Sequence, residues 1–458
     1  MSGNKLVTEF NELDISDKDP NSSKINHEKC YDPDNKKYWC KECVPRCIIE
    51  GWTSGNDDID NFIKDTIYNA SNYNGYPLFL EWVPFDRFKD MKQIGEGGFA
   101  KVYSATWIDG CAEYIKQDDG NWIKKEHESI KVALKRLNGS QNMSADFLNE
   151  LETHWKLNCI QLDSLKFYGL TKDPETEEFM MIMQFASRGN LRNILSSNFK
   201  NILWNKKVMY LYFTIFDLKN LHELGYFHKD FHSGNMISNS DDNFYISDFG
   251  LSGPSNEQKS DNKIYGVLPY IAPEVLNREP YTLSSDIYSF GVVMAELSSG
   301  KPPFHKRKHD ISLALEICNG LRPEFGKGTP EIYKKLAHRC MNANPNQRPT
   351  ANELYDILFS WQNYYNDEKY GYIGEEVRVV FEEANKEIPN ISTLCEKDPS
   401  AIYTSRAFTF KNLSKPINSS FITTTYLNEE DNEGCQDSQL IDLEVSSTSK
   451  LEDDDSDD

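Results

Sequence analysis

The periodicity of apolar residues changes once along this chain, and that change constrains the fold more than any other feature. From Met91 to Met183 short β-rich runs recur, among them Val102-Tyr103, Val132-Ala133-Leu134 and Phe179-Met180-Met181-Ile182-Met183, with one helical stretch near Ala145 to Lys156. From Leu191 onward the period is helical. Val208, Leu211, Ile215, Leu218 and Leu221 fall on one face, and Gly225 stands at a C-cap position. Ile287 to Leu297 is apolar nearly all round, which predicts a buried helix. A small sheet with one helix, followed by a helical lobe, reads as an α+β fold with a cleft at the junction.

Charge and composition exclude several classes. The 72 Asp and Glu against 50 Lys and Arg give a net charge of −22, which argues against nonspecific nucleic-acid binding because that requires a surplus of cations. The richest apolar run, Tyr210 to Leu218, is interrupted by Thr214 and Asp217 and is too short to span a bilayer, so no membrane partner is expected. Ten cysteines in 458 residues do not make a disulfide scaffold, and Met1-Ser2-Gly3-Asn4-Lys5 opens no signal pattern. An intracellular, cytoplasmic setting is expected. The order of segments reads as a flexible start (1–25), a candidate zinc motif (26–50), a helical linker (51–85), one globular unit (86–362), a polar extension (363–428) and a disordered acidic tail (429–458). That tail holds 13 acidic residues and one Lys, too little apolar surface to offset chain entropy. Nothing in the sequence sets an oligomeric state.

The chemistry lies in the globular unit. In Ile94-Gly95-Glu96-Gly97-Gly98-Phe99-Ala100-Lys101-Val102 the glycines let backbone approach a phosphate closely, although such turns also occur without a ligand. Val132-Ala133-Leu134-Lys135 places a Lys on an apolar strand, and Glu150, 15 residues on, offers a carboxylate from the next helix. Taken singly, each reads as a surface charge. His228-Lys229-Asp230-Phe231-His232-Ser233-Gly234-Asn235 follows, then Asp248-Phe249-Gly250 and Ala272-Pro273-Glu274. This ordered set resembles the eukaryotic protein kinases over roughly Asp86 to Trp361.

The resemblance implies a two-lobed protein kinase fold, with a small antiparallel-sheet lobe and a larger helical lobe, using ATP and Mg2+ on protein substrates. Phosphoryl transfer asks a protein mainly for positioning and charge neutralisation. By resemblance, Gly95 to Val102 cover the phosphates and Lys135, oriented by Glu150, neutralises the α and β groups. Asn235 and Asp248 hold magnesium, and Asp230 accepts the substrate hydroxyl's proton. Val102 and Ala133 roof the adenine, Ile237 floors it, Met183 is the gatekeeper, and Gln184 to Ala186 form the hinge. Asp286 braces the loop of Asp230, while Glu274 pairs with Arg348. With all five polar residues present, an active kinase on Ser or Thr is favoured, dual specificity staying open. The alternative is a kinase-fold scaffold that holds nucleotide or a protein partner.

Departures from the pattern feed that alternative. His232 stands where Ser/Thr kinases carry Lys, and Val267 where Thr is usual; both family residues normally hydrogen-bond with the catalytic Asp. Ala100 replaces a third glycine, and Lys229 an Arg that could bind a phosphate on the activation segment, where Ser252, Ser255, Ser260 and Tyr265 are candidate phosphosites. Asp109 to Ser129 reads as a polar, exposed insertion. Asp286-Ile287-Tyr288-Ser289-Phe290-Gly291 resembles the tyrosine-kinase-like branch, and the whole arrangement a large fungal expansion of it. Ahead of the unit, His27-x2-Cys30 and Cys40-x2-Cys43 have structural-zinc spacing, with Cys47 an alternative ligand. Trp52 to Ile67 reads as a capped amphipathic helix.

Overall fold

The computed structural model describes residues 44–419 except 45, 74–75, 98–99, 117–121, 126–127, 142–143, 161–163, 241–242, 255–262, 367–370, 394–395 and 412. The chain forms two units. The smaller takes residues up to Leu80 together with Ala112–His127, and the larger takes Glu81–Cys111 and everything from Glu128. His27, Cys30, Cys40, Cys43, Gly98, Phe99, Ser255, Ser260 and the acidic tail lie outside the described residues.

In the smaller unit, the expected capped helix runs Asp57–Tyr68. The Asn56 side chain accepts the Ile59 N–H at its N-terminus, and Ile59, Ile63 and Ile67 are buried along one face. The inserted segment is more than the exposed polar loop expected. Glu113–Lys116 and Trp122–Lys125 pair antiparallel, and Ala112 and Tyr114 are buried, with the Tyr114 ring 6.1 Å from that of Phe79. A few alternating apolar residues in a charged stretch suffice for this, and composition alone hides them.

In the larger unit a six-stranded sheet runs in the order Glu81–Trp82, Phe167–Lys172, Phe179–Gln184, Ile130–Leu137, Ala100–Trp107, Phe88–Glu96. All neighbours are antiparallel except the first pair. Gly169, at φ 155°, makes that parallel pairing feasible: a Cβ there would lie 2.0 Å from the Glu81 carbonyl. The one helix of this lobe runs Ala145–Ile160, four residues past the expected end. The helical lobe is centred on Trp204–Glu223 and Leu283–Ser299. The first buries the predicted stripe from Val208 to Leu221; the second buries every residue from Ile287 to Leu297. Thr214 and Asp217, which interrupt the apolar run, are satisfied internally, by the Tyr210 carbonyl and the Ile246 N–H. Among the described residues no helix is long and apolar enough to cross a membrane.

The polar stretch after Trp361 contributes to this core. The helix Gly371–Asn385 sets Phe381 against Trp204 and Trp361, and Ala384, Ile388, Ile391 and Phe408 are buried with it. Beyond it, Arg406–Phe408 pairs antiparallel with Ile264–Gly266.

One buried charge makes the stability of the lobe depend on pH. Lys207 is fully buried, its ammonium over the faces of Phe199 (4.2 Å) and Trp204 (4.6 Å), and burial pushes its pKa down to about 7. The unfolded chain keeps this proton up to the ordinary 10.5, the native state only to about 7, so the contribution of Lys207 to stability rises with pH between these values, opposed above about 9 by the thiols of Cys318 and Cys340, which burial pushes up. Lys207→Met should raise the thermal midpoint at pH 7 by a few degrees and flatten its dependence on pH between 7 and about 9. An unchanged slope would assign the dependence to another group.

Candidate active site

Three charges from three segments meet where sheet and helical lobe adjoin. Lys135 projects from the strand Ile130–Leu137, in register with Val102 on one neighbour and Met181 on the other. Its ammonium bonds to Glu150, from the helix Ala145–Ile160, and to Asp248 Oδ1 at 2.8 Å. Burial works against ionising Lys135, but Asp248 and Glu150 outweigh it and hold its pKa above the ordinary lysine value. Burial likewise opposes ionisation of Asp248, and Lys135 overrides it, holding the carboxyl down to about 2. Glu150, the deeper partner at 3% exposed, is pushed up by burial. Asp248 therefore presents an ionised carboxylate whose side chain is still 43% exposed. Gly250 admits this packing, since a Cβ there would lie 3.2 Å from Glu150 Oε2. Phe249 anchors the turn below, 4.5 Å from the His154 ring and 5.2 Å from that of His228.

The loop His228–Asn235 supplies the second group. Buried Asp286 accepts the His228 and Lys229 N–H groups at 2.8 and 3.1 Å, along with Tyr281 Oη–H at 2.7 Å, and pairs with His222 at 3.0 Å. Burial opposes charge on Asp286, yet these donors hold its pKa below the usual carboxylate value. So braced, the backbone takes left-handed φ at Lys229 (65°), and does so again at Asp248 (67°). Such backbone persists only where surrounding contacts over-determine it. Asn235 Nδ2–H donates to the Asp230 carbonyl at 3.0 Å, and its own carbonyl accepts Ser247 N–H at 2.9 Å, tying Asp230, Asn235 and Asp248 into one frame. Asp230 is 7% exposed, and its Oδ1 has no hydrogen-bond partner among the described residues.

His232 keeps a polar group at the position where Lys is usual. Gly234 N–H donates to its Nδ1 at 3.0 Å, which leaves the proton of the neutral ring on Nε2, 3.7 Å from Asp230 Oδ1. A donor therefore still faces Asp230. The position of Val267 offers none; its side chain is buried in the core.

The remaining expected positions fall on the sheet and the crossing strand. Gly95 pairs with Val102, Gly97 N–H donates to the Ala100 carbonyl at 2.8 Å, and Ile94, Glu96 and Lys101 lie on the same two strands. Ala133 stands between Ser104 and Met183, Gln184 follows at the strand end, and Ile237 lies on Met236–Ser238 opposite Asn190. Gln184 N–H is taken by the Lys166 carbonyl at 2.9 Å, while Ala186 accepts from Gly189 N–H at 3.0 Å. Ser252 is buried, with Oγ–H donating to the His228 carbonyl at 3.3 Å, so it is the least accessible of the candidate phosphosites described. Lys229 sits over the Phe227 ring at 4.6 Å. Among the described residues no group of three His, Cys, Asp or Glu is set to hold a metal.

Residues 88–358 match the family described as protein tyrosine and serine/threonine kinase. Curated relatives are similar at modest identity. A probable serine/threonine-protein kinase of Dictyostelium discoideum is 27% identical over 63% of this chain, which spans only 16% of that relative. One of Clostridium acetobutylicum is 26% identical over 69% of this chain and 46% of its own length. One of Arabidopsis thaliana is 28% identical over 60% of this chain and 72% of its own.

Proposed function

Because the chain belongs to the protein tyrosine and serine/threonine kinase family, we propose that it transfers the γ-phosphoryl group of ATP to Ser or Thr hydroxyls of proteins. The observation that carries this is the contact of the buried Lys135 ammonium with both Glu150 and the partly exposed Asp248. A scaffold has no need of such an arrangement, which costs desolvation of the Lys135 and Glu150 charges. In this reading Lys135 binds the α and β phosphates and Glu150 fixes its ammonium. Asp230 receives the hydroxyl proton, and His232 Nε2, 3.7 Å from Oδ1, faces that carboxylate where Lys is usual. Asp248, held ionised, and Asn235 suit a hard oxygen-liganded cation, and Mg2+ bound there would neutralise charge on the β and γ phosphates. Val102, Ala133, Met183, Ala186 and Ile237 would enclose the adenine.

Membership of the tyrosine-kinase-like branch is supported by the Asp286 to Gly291 motif, and a structural zinc by the His27, Cys30, Cys40, Cys43 spacing alone. The test of function is transfer from labelled ATP to itself and to a generic protein, with the phosphorylated residue types identified. Phosphoserine and phosphothreonine are expected. Phosphotyrosine alone would overturn the specificity, and ATP binding without transfer would favour the scaffold. Zinc is checked in the same preparation by elemental analysis, one equivalent being expected and none sinking the assignment.

A further inference from the structure

The strand Arg406–Phe408 lies beside the candidate active site. It pairs antiparallel with Ile264–Gly266 in the register Ile264 to Phe408, Tyr265 to Ala407 and Gly266 to Arg406. Gly266 is pressed against Asp230, since a Cβ on it would stand 3.4 Å from Asp230 Oδ1. Arg192 Nη1–H donates to the Tyr403 carbonyl at 3.1 Å, and this same nitrogen would lie 3.4 Å from a Cβ on Gly234, within the loop of Asp230. The chain from Tyr403 to Arg406 is thus tied at one end, through Arg192, to the Gly234 end of the Asp230 loop, and at the other to the strand whose Gly266 abuts Asp230. Two hydroxyls lie on that span. Thr404 is exposed, whereas the Ser405 Oγ is buried and has no hydrogen-bond partner among the described residues. A buried hydroxyl without a partner calls for an explanation, and Asp230 Oδ1 likewise accepts no hydrogen bond among the described residues.

Both flanks of the span are gripped. Upstream, Tyr403 Oη–H donates to the Pro303 carbonyl at 2.8 Å, and His309 Nδ1 meets the Ile402 carbonyl at 2.9 Å. Downstream, Arg406 donates to the His309 carbonyl at 2.5 Å, Phe408 is buried, and Arg278 holds the Phe410 carbonyl at 2.7 Å. Main-chain pairing with alternate side chains in pockets is the way an extended peptide is recognised at a sheet edge.

We propose that Tyr403–Phe410 is a substrate strand held in cis, and that Ser405 is a phosphorylation site of this same active site. The inference rests on the kinase reading above. In the transfer, the bond from the γ-phosphorus of ATP to its bridging oxygen breaks, a bond from Ser405 Oγ to that phosphorus forms, the Oγ proton passes to Asp230, and ADP leaves. Until then the strand competes with protein substrates. Afterwards a phosphate with about two negative charges stands beside Asp230, and like-charge repulsion favours release of the strand.

The test incubates the full chain with ATP and magnesium at several enzyme concentrations and maps the phosphate by mass spectrometry. The expected result is phosphate on Ser405, with a rate constant independent of enzyme concentration, absent in Ser405→Ala, which still phosphorylates an added serine peptide. Ala407→Pro, at an exposed position where proline disrupts pairing without emptying the core, should lower KM for that peptide about tenfold with kcat unchanged, as expected if the strand fills the groove about nine-tenths of the time. Phe408→Asp should do the same. An active enzyme in which Ser405 stays unmodified, or is modified at a rate proportional to enzyme concentration, overturns the proposal; so does an unchanged KM in both strand variants. A chain that phosphorylates neither itself nor the peptide, with all variants equally inert, overturns instead the kinase reading beneath it.

Discussion

Asp230→Asn is expected to lower phosphate transfer by about 10²- to 10⁴-fold while leaving ATP affinity near that of the unaltered chain. The substitution keeps the shape of a side chain that is 7% exposed and whose Oδ1 accepts no hydrogen bond among the described residues, so little folding energy is at stake. What it removes is the basic oxygen facing the position of the hydroxyl. Lys135→Met should reduce transfer on a similar scale through different physics. It takes the cation from between Glu150 and Asp248, and two carboxylates that share one ammonium are left facing each other. Burial then raises the pKa of whichever protonates first, so the acid limb of any residual activity moves to higher pH. Initial rates with saturating ATP, together with nucleotide affinity by calorimetry, separate the two. Loss of transfer with affinity retained is expected for Asp230→Asn, and loss of both for Lys135→Met. Full activity of Asp230→Asn would remove Asp230 from the mechanism.

How much of this was legible in the sequence follows from how local each signal is. The Lys135 and Glu150 pair was readable because one strand and the helix after it must pack together, and because the later motifs follow in a fixed order. Asp286 and its brace of the Asp230 loop were readable on the same ground. In sequence His232 is only a missing Lys, because a residue type does not disclose its tautomer, which here is fixed by one N–H, that of Gly234, two residues away. The stretch past Trp361 misled because its apolar residues are sparse. Phe381, Ala384, Ile388 and Ile391 do recur at helical spacing, but among enough Glu, Lys and Asn that composition hides the stripe. The pairing of Ile264–Gly266 with Arg406–Phe408 leaves no local trace at all. It joins residues some 140 positions apart, and only the folded helical lobe brings them together.

The largest loss of stability is expected at Glu274 and Arg348. Their two parallel bonds, 2.7 and 2.6 Å, lie in a site where the side chains are 3% and 0% exposed. Arg348 also donates to the carbonyls of Ser284 and Asn342, and Ser285 Oγ–H to Glu274, so both ions are saturated with partners. Arg348→Ala leaves the Glu274 carboxylate buried without its counter-charge and should cost about 3–5 kcal/mol. Against a whole-domain stability of order 5–15 kcal/mol this is a large fraction. Arg348→Lys should fare little better, because a point charge cannot reproduce the planar fork. The pair Glu274→Gln with Arg348→Met is expected to lose clearly less than the sum of its single changes, because neither leaves a bare charge once the other is gone. Urea unfolding of the four proteins measures this coupling directly. Strict additivity would mean that the two side chains act on stability separately, and that the bidentate contact contributes nothing beyond packing.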